Sequence, residues 1–547
     1  MKIAQAPDKD RQTDLAELIA QLVAEIEPLH LRLNLAVWNA NVTGDPAHEE
    51  ESARLEAGIR EIYARPGPFA FLAALESAGG VSDPRLERQR QLLFSSVRAN
   101  QIPAEAIRSI VRLEKKLESR FNTFRATLDG ERVGDNAIRQ LLRESNDNAL
   151  RQRAWEASKQ IGAEIEGELL ELVRLRNESA RQLGFADHYA MSLRLKDEIE
   201  EPQLFAWLDE VERGTRPMFE TYKRDLDESL CRRFTVSPGD LRPWHYGDPF
   251  FQEAPAPGVN LDPWFAGKPL EDLTRRFFEA VGFDIRDLLE RADLYEKPGK
   301  CQHAFCLSVD RGSDVRVLCN LRSDEYWMGT MLHEFGHAVY DQGIDRTLPF
   351  LLREPAHVLT TEATAMLFGR LSKNAAWLTR YAGMPQTEAK AAEQASRQAI
   401  RDQLLVQTRW ELVMCHMEQA LYRDPTQDLN RLWWDLVERF QGVRRPDERV
   451  APDWASKIHF SVAPVYYHNY LLGEVMASQL QHAIQEQALG GGAEVGARYV
   501  SSPEVGRYLG EHLFRSGRAQ PWPETVQRAT GRPLSPEAFI AELASRE

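Results

Sequence analysis

The sequence predicts a mainly α-helical fold. Apolar residues recur at spacings of three and four positions with charged residues between them, which is the pattern of amphipathic helices. Ala, Leu, Glu, Arg and Gln dominate these stretches, and all five are good helix formers. The chain shows no repeat of fixed period, so the pattern does not indicate a solenoid. The predicted helical stretches are residues 13–41 (divided near Pro28), 82–128, 146–181, 201–229 and 386–422.

Two segments depart from the helical pattern. Residues 302–309 and 315–321 each alternate polar and apolar side chains, and the turn-forming sequence DRGSD separates them, which predicts a β-hairpin. Residues 237–268 are rich in Pro and Gly, but they also carry many aromatic side chains that favour burial. We therefore expect an irregular, ordered segment there and not a flexible linker.

Composition and charge narrow the class of protein. The chain has 547 residues, 43% of them hydrophobic, which is ordinary for a globular protein. Its net charge of −15 opposes binding to nucleic acid or to an anionic membrane, because both need a surplus of Lys and Arg. No apolar run approaches the ~18 residues of a membrane span, and the first residues lack the apolar core of a secretory signal. Five cysteines, an odd count, are typical of reduced thiols, so we expect a cytoplasmic protein.

The stretch 323–342, SDEYWMGTMLHEFGHAVYDQ, predicts a helix with a defined start and end. Ser323 is a suitable N-cap, because its hydroxyl can accept a hydrogen bond from a free backbone N–H. Gly343 follows the last position of the pattern and suits the C-terminal cap. The residues between are largely apolar, so we expect the helix to be buried.

Two histidines on this helix carry the strongest functional signal. His333 and His337 lie four positions apart, so their imidazoles project from one face and can share a Zn²⁺ ion. Glu334 is placed to take a proton from water activated by that ion. The alternative is a helix with two unrelated histidines, but buried histidines need polar partners, which favours the metal. The sequence therefore predicts a hydrolytic zinc site.

Catalytic zinc needs a third protein ligand and an open position. Glu362 begins a predicted helix 25 positions after His337, and a carboxylate from a second helix suits a site of two histidines and one glutamate. His357 and Glu354 are rival candidates. Glu362 could also serve only to stabilise the start of its own helix. We favour Glu362 as the ligand.

These motifs resemble those of gluzincin peptidases. HEFGHAVY and the spacing to Glu362 are similar to two families, the angiotensin-converting-enzyme-like (peptidyl-dipeptidase A) and the thimet-oligopeptidase-like peptidases. TEATAMLFGRL at 361–371, WNANVT at 38–43 and the stretch 154–194 look more like the first family. GKCQHAFC at 299–306 resembles a strand found in both.

The resemblance implies a two-lobed helical ellipsoid with a deep central channel and a small sheet beside the zinc site. We expect one metallopeptidase domain over residues 1–547. Lid-like helices would occupy residues 1–130 and a catalytic core residues 131–547, with the zinc-binding part at about 290–475.

The resemblance also assigns roles within KIHFSVAPVYYHNYLLGEV, residues 457–475. Tyr470 would donate to the oxyanion that forms during hydrolysis, a role that needs a donor opposite the metal. His459 would hold the substrate backbone and Tyr467 would bind substrate. The loop is one residue longer than in the angiotensin-converting-enzyme pattern, so Tyr466 could exchange roles with Tyr467.

Further substrate contacts follow from the same resemblance. His303 and Ala304 lie on the predicted hairpin edge, where an extended peptide could add as a strand. Lys457 matches the position that anchors the C-terminal carboxylate of the substrate. The Gln that shares this work in the family has no secure counterpart in the sequence.

One position departs from the family pattern. An Asp is expected four residues after the third ligand, and Met366 stands there. Zinc-bound histidines normally donate a hydrogen bond to a carboxylate or carbonyl. The sequence does not identify the residue that accepts this bond from His333 and His337. Asp341 could take the place of the expected Asp, and only its proximity in the sequence suggests this.

The sequence thus predicts zinc-dependent hydrolysis of short unfolded peptides, with release of C-terminal dipeptides favoured over internal cutting by an oligoendopeptidase. A hypothesis of another class is a helical peptide-binding protein that retains a metal site without turnover. The expected partners are oligopeptides, with no nucleic acid and no membrane. The sequence leaves the oligomeric state open.

Overall fold

The fold is mainly helical, as predicted. The computed structural model describes residues 6–255, 259–301, 303–492 and 494–545, apart from the side chain of Asn122. Within these residues the strands form two antiparallel sheets of two strands each. In chain order the first eleven helices are α1 (Asp8–Thr43), α2 (Pro46–Tyr63), α3 (Pro66–Ser77), α4 (Pro84–Ala99), α5 (Ala104–Thr123), α6 (Asp135–Glu144), α7 (Asn148–Gln182), α8 (His188–Ser192), α9 (Glu201–Phe234), α10 (Leu270–Ala280) and α11 (Arg286–Arg291).

The second half of the chain contains the helix of the histidine motif and the helix that begins near the tyrosines. These helices are α12 (Glu325–Gly343), α13 (Val358–Gly369), α14 (Ala375–Trp377), α15 (Gln386–Arg423), α16 (Leu429–Gln441), α17 (His459–Val462), α18 (His468–Ala483), α19 (Val495–Tyr499), α20 (Pro503–Leu509), α21 (Trp522–Thr530) and α22 (Glu537–Ala544).

The chain divides into two compact units, each assembled from three separate segments. The first unit comprises Met1–Ile102, Val259–Gln394 and Leu472–Phe539. The second unit comprises Pro103–Gly258, Ala395–Leu471 and Ile540–Glu547. The histidine motif therefore lies in the first unit and most of the tyrosine segment in the second. The predicted single domain with an N-terminal lid stays a prediction.

Two prolines behave differently from the prediction. Pro28 does not divide the first helix, which runs unbroken through α1. A proline removes one hydrogen bond from the helix ladder. Leu22 and Ile26 before it are buried in an apolar cluster with residues from α2, α3 and α4, and this packing holds the helix. Pro103, by contrast, separates α4 from α5, so the stretch 82–128 forms two helices.

The predicted hairpin is present. Strands β3 (Phe305–Ser308) and β4 (Val315–Leu318) pair antiparallel, with Phe305 opposite Leu318. Between them the carboxylate of Asp310 accepts hydrogen bonds from the backbone N–H groups of Gly312 and Asp314, at 2.8 and 3.0 Å. This turn fixes the register of the two strands.

A second, shorter hairpin in the second unit was not predicted. Its strands are β1 (Ala126–Leu128) and β2 (Glu131–Val133). The turn residues Asp129 and Gly130 both have positive φ, 52° and 87°, which is the conformation that an Asp-Gly pair favours in tight hairpins. The Asp-Gly dipeptide in the sequence was the signal for this element.

Residues 237–255 of the irregular segment are ordered by a buried carboxylate. Asp248 accepts hydrogen bonds from the backbone N–H groups of Phe250, Gln252 and Glu253, at 2.8, 2.8 and 3.1 Å. The indole of Trp155 donates to the carbonyl of Pro249 at 3.0 Å. Residues 256–258 of the predicted segment lie outside the described residues.

Candidate metal centre

The histidine helix begins one residue later than predicted. Asp324, not Ser323, is the N-cap: its carboxylate accepts a hydrogen bond from the backbone N–H of Trp327 at 2.8 Å. A carboxylate suits the positive end of the helix dipole better than a hydroxyl does. Gly343 is the last helical residue and not the cap. A side chain there would lie 2.9 Å from the Phe514 ring, so close packing explains this glycine.

A close approach between α12 and α13 brings the ligands together. A Cβ atom on Gly336 would lie 2.8 Å from the Cα of Ala365, a distance that side chains do not tolerate. Gly473 likewise lies against Glu362, since a Cβ there would be 3.1 Å from the Cβ of Glu362. Gly336 thus lets α12 pack closely on α13, so that both histidines face one carboxylate, and Gly473 lets α18 pack against α13 at Glu362.

We expect Gly336→Ala to lower the stability of the first unit and its affinity for zinc. The added methyl group must push α13 away, and such overpacking costs ~1–3 kcal/mol. Differential scanning calorimetry and zinc competition with a chelator measure the two effects. Gly58→Ala in α2 is the matched control, because nothing lies within 4 Å of that position. Alanine is also the better helix former, so the control should be neutral or stabilising. Equal behaviour of the two variants would contradict the packing argument.

His333, His337 and Glu362 form a group whose ligand atoms all lie within 4.8 Å of one another. The Nε2 atoms of both histidines are 3.9 Å from the same oxygen of Glu362. These separations exceed hydrogen-bond length, and they leave room for an ion about 2 Å from each atom, which is the usual length of zinc bonds to nitrogen and oxygen.

The protonation states of His333 and His337 suit the binding of a cation. Burial lowers the pKa of His333 to about 4, and burial together with His333 lowers the pKa of His337 well below its usual value. Both imidazoles are therefore neutral at pH 7 and present lone pairs. Three groups rich in lone pairs around one point repel each other unless a cation lies between them. The residues present therefore fit a zinc ion.

Glu334 lies beside this group on the same helix. Its side chain is buried, with 7% of its surface exposed. Burial and the negative charge of Glu362 raise the pKa of Glu334 to about 8. A pKa close to the working pH suits a carboxyl group that takes up a proton in one step and releases it in another, which is what general acid–base catalysis requires.

The partner of His337 is a hydroxyl group. Nδ1 of His337 lies 2.7 Å from Oγ1 of Thr361, the residue before the carboxylate ligand. The imidazole can donate there and keep Nε2 unprotonated for the metal. Met366 occupies the place of the expected Asp, and a side chain at Gly473 would meet its sulfur at 3.3 Å. Burial and Glu354 raise the pKa of Asp341 to about 7, and its role as a partner of the histidines stays a prediction.

We expect Thr361→Val to weaken zinc binding about tenfold, because outer partners of metal-bound histidines contribute a factor of about 10–100 to affinity. Valine keeps the shape of threonine and removes only the hydroxyl. Thr361→Ser restores the hydroxyl and should bind zinc within about twofold of the wild type. Competition with a fluorescent chelator measures the affinities. Unchanged affinity in the valine variant would remove Thr361 from the site.

The two rival ligands have other partners. His357 is the N-cap of α13, and its Nδ1 accepts a hydrogen bond from the N–H of Leu359 at 3.1 Å. Glu354 forms ion pairs with Arg311 and Arg518 at 2.9 and 3.1 Å. Neither residue joins the group of possible metal ligands found among the described residues.

The predicted strand-addition site precedes β3. His303 is exposed and Ala304 is half-buried. In the described residues β3 pairs only with β4, so its other edge has no strand partner. This geometry is compatible with an added strand, and the substrate role of both residues stays a prediction.

In the second unit, Lys457 has the partner that the sequence did not reveal. Its ammonium group donates to the side-chain carbonyl of Gln252 at 2.8 Å. It also lies 5.1 Å from the Phe250 ring centre and 5.0 Å from that of Trp410. Burial lowers the pKa of Lys457 to about 8, so the group remains mostly charged at pH 7. The two partners are 205 positions apart, and only the fold brings them together.

Tyr467 belongs to the same cluster. Its ring is 4.8 Å from that of His459, and the indole of Trp410 donates to its hydroxyl at 3.3 Å. Tyr466 instead packs its ring against Tyr470, at 5.1 Å. Burial lowers the pKa of His459 to about 3, so its imidazole is neutral. Tyr467 thus lies beside the lysine, 5.9 Å from its ammonium group, and also 5.6 Å from the Tyr470 ring, while the predicted roles of these residues stay predictions.

Two neutral imidazoles and one carboxylate around a common point, with a buried carboxyl group beside them, form the arrangement of a hydrolytic zinc enzyme. The comparisons with known proteins agree. The family model described as angiotensin-converting enzyme matches residues 9–234 and 268–541. The chain therefore belongs to the angiotensin-converting enzyme family of zinc metallopeptidases, which confirms the predicted class of protein.

The individual relatives are distant. The chain is 22% identical over 483 residues to the mouse (Mus musculus) angiotensin-converting enzyme-like protein Ace3, an alignment that covers 80% of this chain and 63% of that protein. It is 27% identical over 131 residues to angiotensin-converting enzyme of pig (Sus scrofa), covering 24% of this chain and 9% of that enzyme. The chain thus spans less than two thirds of the length of these relatives.

Among the described residues, no helix combines the length and the apolar character needed to cross a membrane.

Proposed function

We propose that this protein is a zinc-dependent peptidase that hydrolyses short unfolded peptides. The observation that carries the proposal is the group of His333, His337 and Glu362 with the buried carboxyl of Glu334 beside it. The three ligands would hold the ion. When bound, zinc polarises the scissile carbonyl and makes water more acidic.

Glu334 would move the proton in this reaction. Its high proton affinity lets it take a proton from the attacking water, and it can return that proton to the leaving amine. Tyr470 would donate to the oxyanion, His459 would hold the peptide backbone, and Tyr467 would bind substrate, with Tyr466 as its alternative. Each role requires a positioned donor or acceptor, which tyrosine and neutral histidine supply.

We further propose that the cleavage mode is release of C-terminal dipeptides. Lys457 and Gln252 support this mode, because an ammonium group next to an amide can bind a carboxylate with charge-assisted hydrogen bonds. The family pattern uses a Lys and a Gln for the same work. Lys457 is buried beside aromatic rings, and the low local polarity strengthens its attraction to a carboxylate.

The proposed substrates are oligopeptides. An extended peptide could also pair with the edge at His303 and Ala304. We propose a cytoplasmic location, because the odd number of thinly spread cysteines favours reduced thiols. We propose neither nucleic acid nor a membrane as a partner, because the net charge is −15.

Hydrolysis of a quenched-fluorescent oligopeptide, with and without chelator, tests the activity. Mass spectrometry of products from a peptide with a free C-terminus and from its amidated form tests the mode. We expect chelator-sensitive, successive loss of dipeptides from the free form only. Equal internal cleavage of both forms would favour an oligoendopeptidase. Zinc binding without any cleavage would favour a non-catalytic peptide-binding protein.

The pH dependence provides a test of Lys457. Its pKa is lowered to about 8, so its charge is present below pH 8 and lost above it. We expect kcat/KM for the free-acid peptide to fall about tenfold per pH unit above pH 8, since a neutral amine attracts a carboxylate weakly.

In the Lys457→Met variant, kcat/KM for the free-acid peptide should not show the fall above pH 8. At pH 7 its kcat/KM should be at least about 30-fold lower than that of the wild type, because removing one partner of a buried charge pair costs about 2 kcal/mol or more. The amidated peptide is the control for pH effects elsewhere in the enzyme. A pH profile of the variant identical to that of the wild type would contradict the carboxylate role.

A further inference from the structure

The segment between His459 and Tyr467 contains a strained residue. Val465 has φ of 55°, in the left-handed region that β-branched side chains rarely adopt. Such a conformation persists only where surrounding contacts impose it. Val465 is also buried and directly precedes Tyr466 and Tyr467, so its backbone sets the direction in which those two side chains leave the chain.

A buried carboxyl group holds this residue. Oε1 of Glu418, on α15, accepts a hydrogen bond from the backbone N–H of Val465 at 2.8 Å. Glu418 is 3% exposed, so this contact is made away from water. Burial raises the pKa of Glu418 to about 7. The carboxyl group keeps an acceptor oxygen for this amide in either protonation state, and burial strengthens the hydrogen bond.

A buried cation holds the other end of the segment. The guanidinium of Arg176, on α7, donates to the carbonyl oxygens of Phe460 and Ser461 at 3.0 and 2.6 Å. Arg176 is itself fixed by Glu114 at 2.6 Å and by the hydroxyl of Tyr422 at 3.0 Å. The guanidinium thus binds backbone acceptors after His459, and the carboxyl group binds a backbone donor before Tyr467. All these residues belong to the second unit.

We propose that Glu418 is a positioning residue for peptide binding. Its hydrogen bond keeps Val465 in the left-handed conformation, with Arg176 as the fixed point at the opposite end of the segment. In this conformation Tyr467 packs against His459 and beside the Lys457–Gln252 pair. The role in peptide binding rests on the proposed function of His459 and Tyr467, but the clamp on Val465 does not.

Three variants separate the acceptor from other properties of the side chain. Glu418→Leu removes the acceptor in a similar volume, and Glu418→Gln keeps an acceptor oxygen. Val465→Gly makes the left-handed conformation accessible without strain. We expect Glu418→Leu to raise KM about tenfold, the effect of losing one strong hydrogen bond, and to change kcat by less than about threefold.

Glu418→Gln should keep KM within about threefold of the wild type. Adding Val465→Gly to Glu418→Leu should recover most of the lost affinity, because glycine does not need the bond to adopt this conformation. Zinc content should equal that of the wild type in all variants. A general loss of folding would lower kcat and zinc content together and would not be rescued by glycine.

Amide hydrogen exchange of a fragment containing Val465 tests the clamp without any catalysis. Exchange of this amide should become at least about tenfold faster in Glu418→Leu and stay near the wild-type rate in Glu418→Gln. Unchanged exchange in Glu418→Leu would overturn the proposal, as would faster exchange with an unchanged KM. If the wild type cleaves no peptide, the proposed function fails, and the exchange rates still decide whether Glu418 holds Val465.

Discussion

Replacing Glu334 with Gln should lower kcat about 10³-fold while zinc remains bound. Glutamine has nearly the same shape, so the packing of α12 is preserved, but an amide cannot accept a proton at neutral pH. General base catalysis contributes factors of about 10²–10⁴. Steady-state hydrolysis of a quenched-fluorescent peptide and zinc content by mass spectrometry measure the two quantities.

Glu325→Gln is the control for this experiment. Glu325 lies in the first turn of the same helix, where it accepts a hydrogen bond from Ser372 at 2.7 Å. Glutamine can preserve that bond, so the activity should remain within about twofold of the wild type. If Glu334→Gln were as active as this control, another group would have to be the base.

The sequence predicted the metal group because its members are close in the chain. His333 and His337 are one helical turn apart, and periodicity alone places them on one face. Glu362 lies on α13, the next α-helix along the chain, 25 positions after His337. Local rules therefore predicted all three ligands that the structure brings together.

The partners of these residues could not be predicted in the same way. The hydroxyl of Thr361 reaches His337 only because Gly336 lets the two helices come close, which depends on packing and not on local pattern. The pairing of Lys457 with Gln252 joins segments 205 positions apart, and the order of the irregular loop depends on the buried Asp248. No spacing rule covers contacts at that separation.

The fold shows the same division between local and distant causes. Helix periodicity predicted α7, α9 and α15 close to their observed bounds. It failed at Pro28, where packing on an apolar cluster outweighs the lost hydrogen bond. It also gave no sign that the compact units interleave three chain segments each. That arrangement depends on contacts between helices far apart in sequence.

The choice of Glu362 over its rivals has a physical basis in charge. Glu354 is already neutralised by Arg311 and Arg518, at 2.9 and 3.1 Å, so it has little negative charge to offer a metal ion. Glu362 instead faces two neutral imidazoles and raises the pKa of Glu334 through its own negative charge. A carboxylate in such surroundings gains most from a cation at the centre of the group.

Replacing Glu362 with Gln should therefore weaken zinc binding about 100-fold and remove peptide hydrolysis at limiting zinc. Protein zinc sites are worth ~10–16 kcal/mol over four ligands, so one anionic ligand contributes ~3 kcal/mol, and a neutral amide oxygen replaces only a small part of it. Dialysis against graded chelator with zinc analysis measures the affinity. Glu354→Gln is the matched control: it should keep zinc but lower the melting temperature, because Arg311 and Arg518 lose their partner. Zinc loss in Glu354→Gln with retention in Glu362→Gln would reverse the assignment of the third ligand.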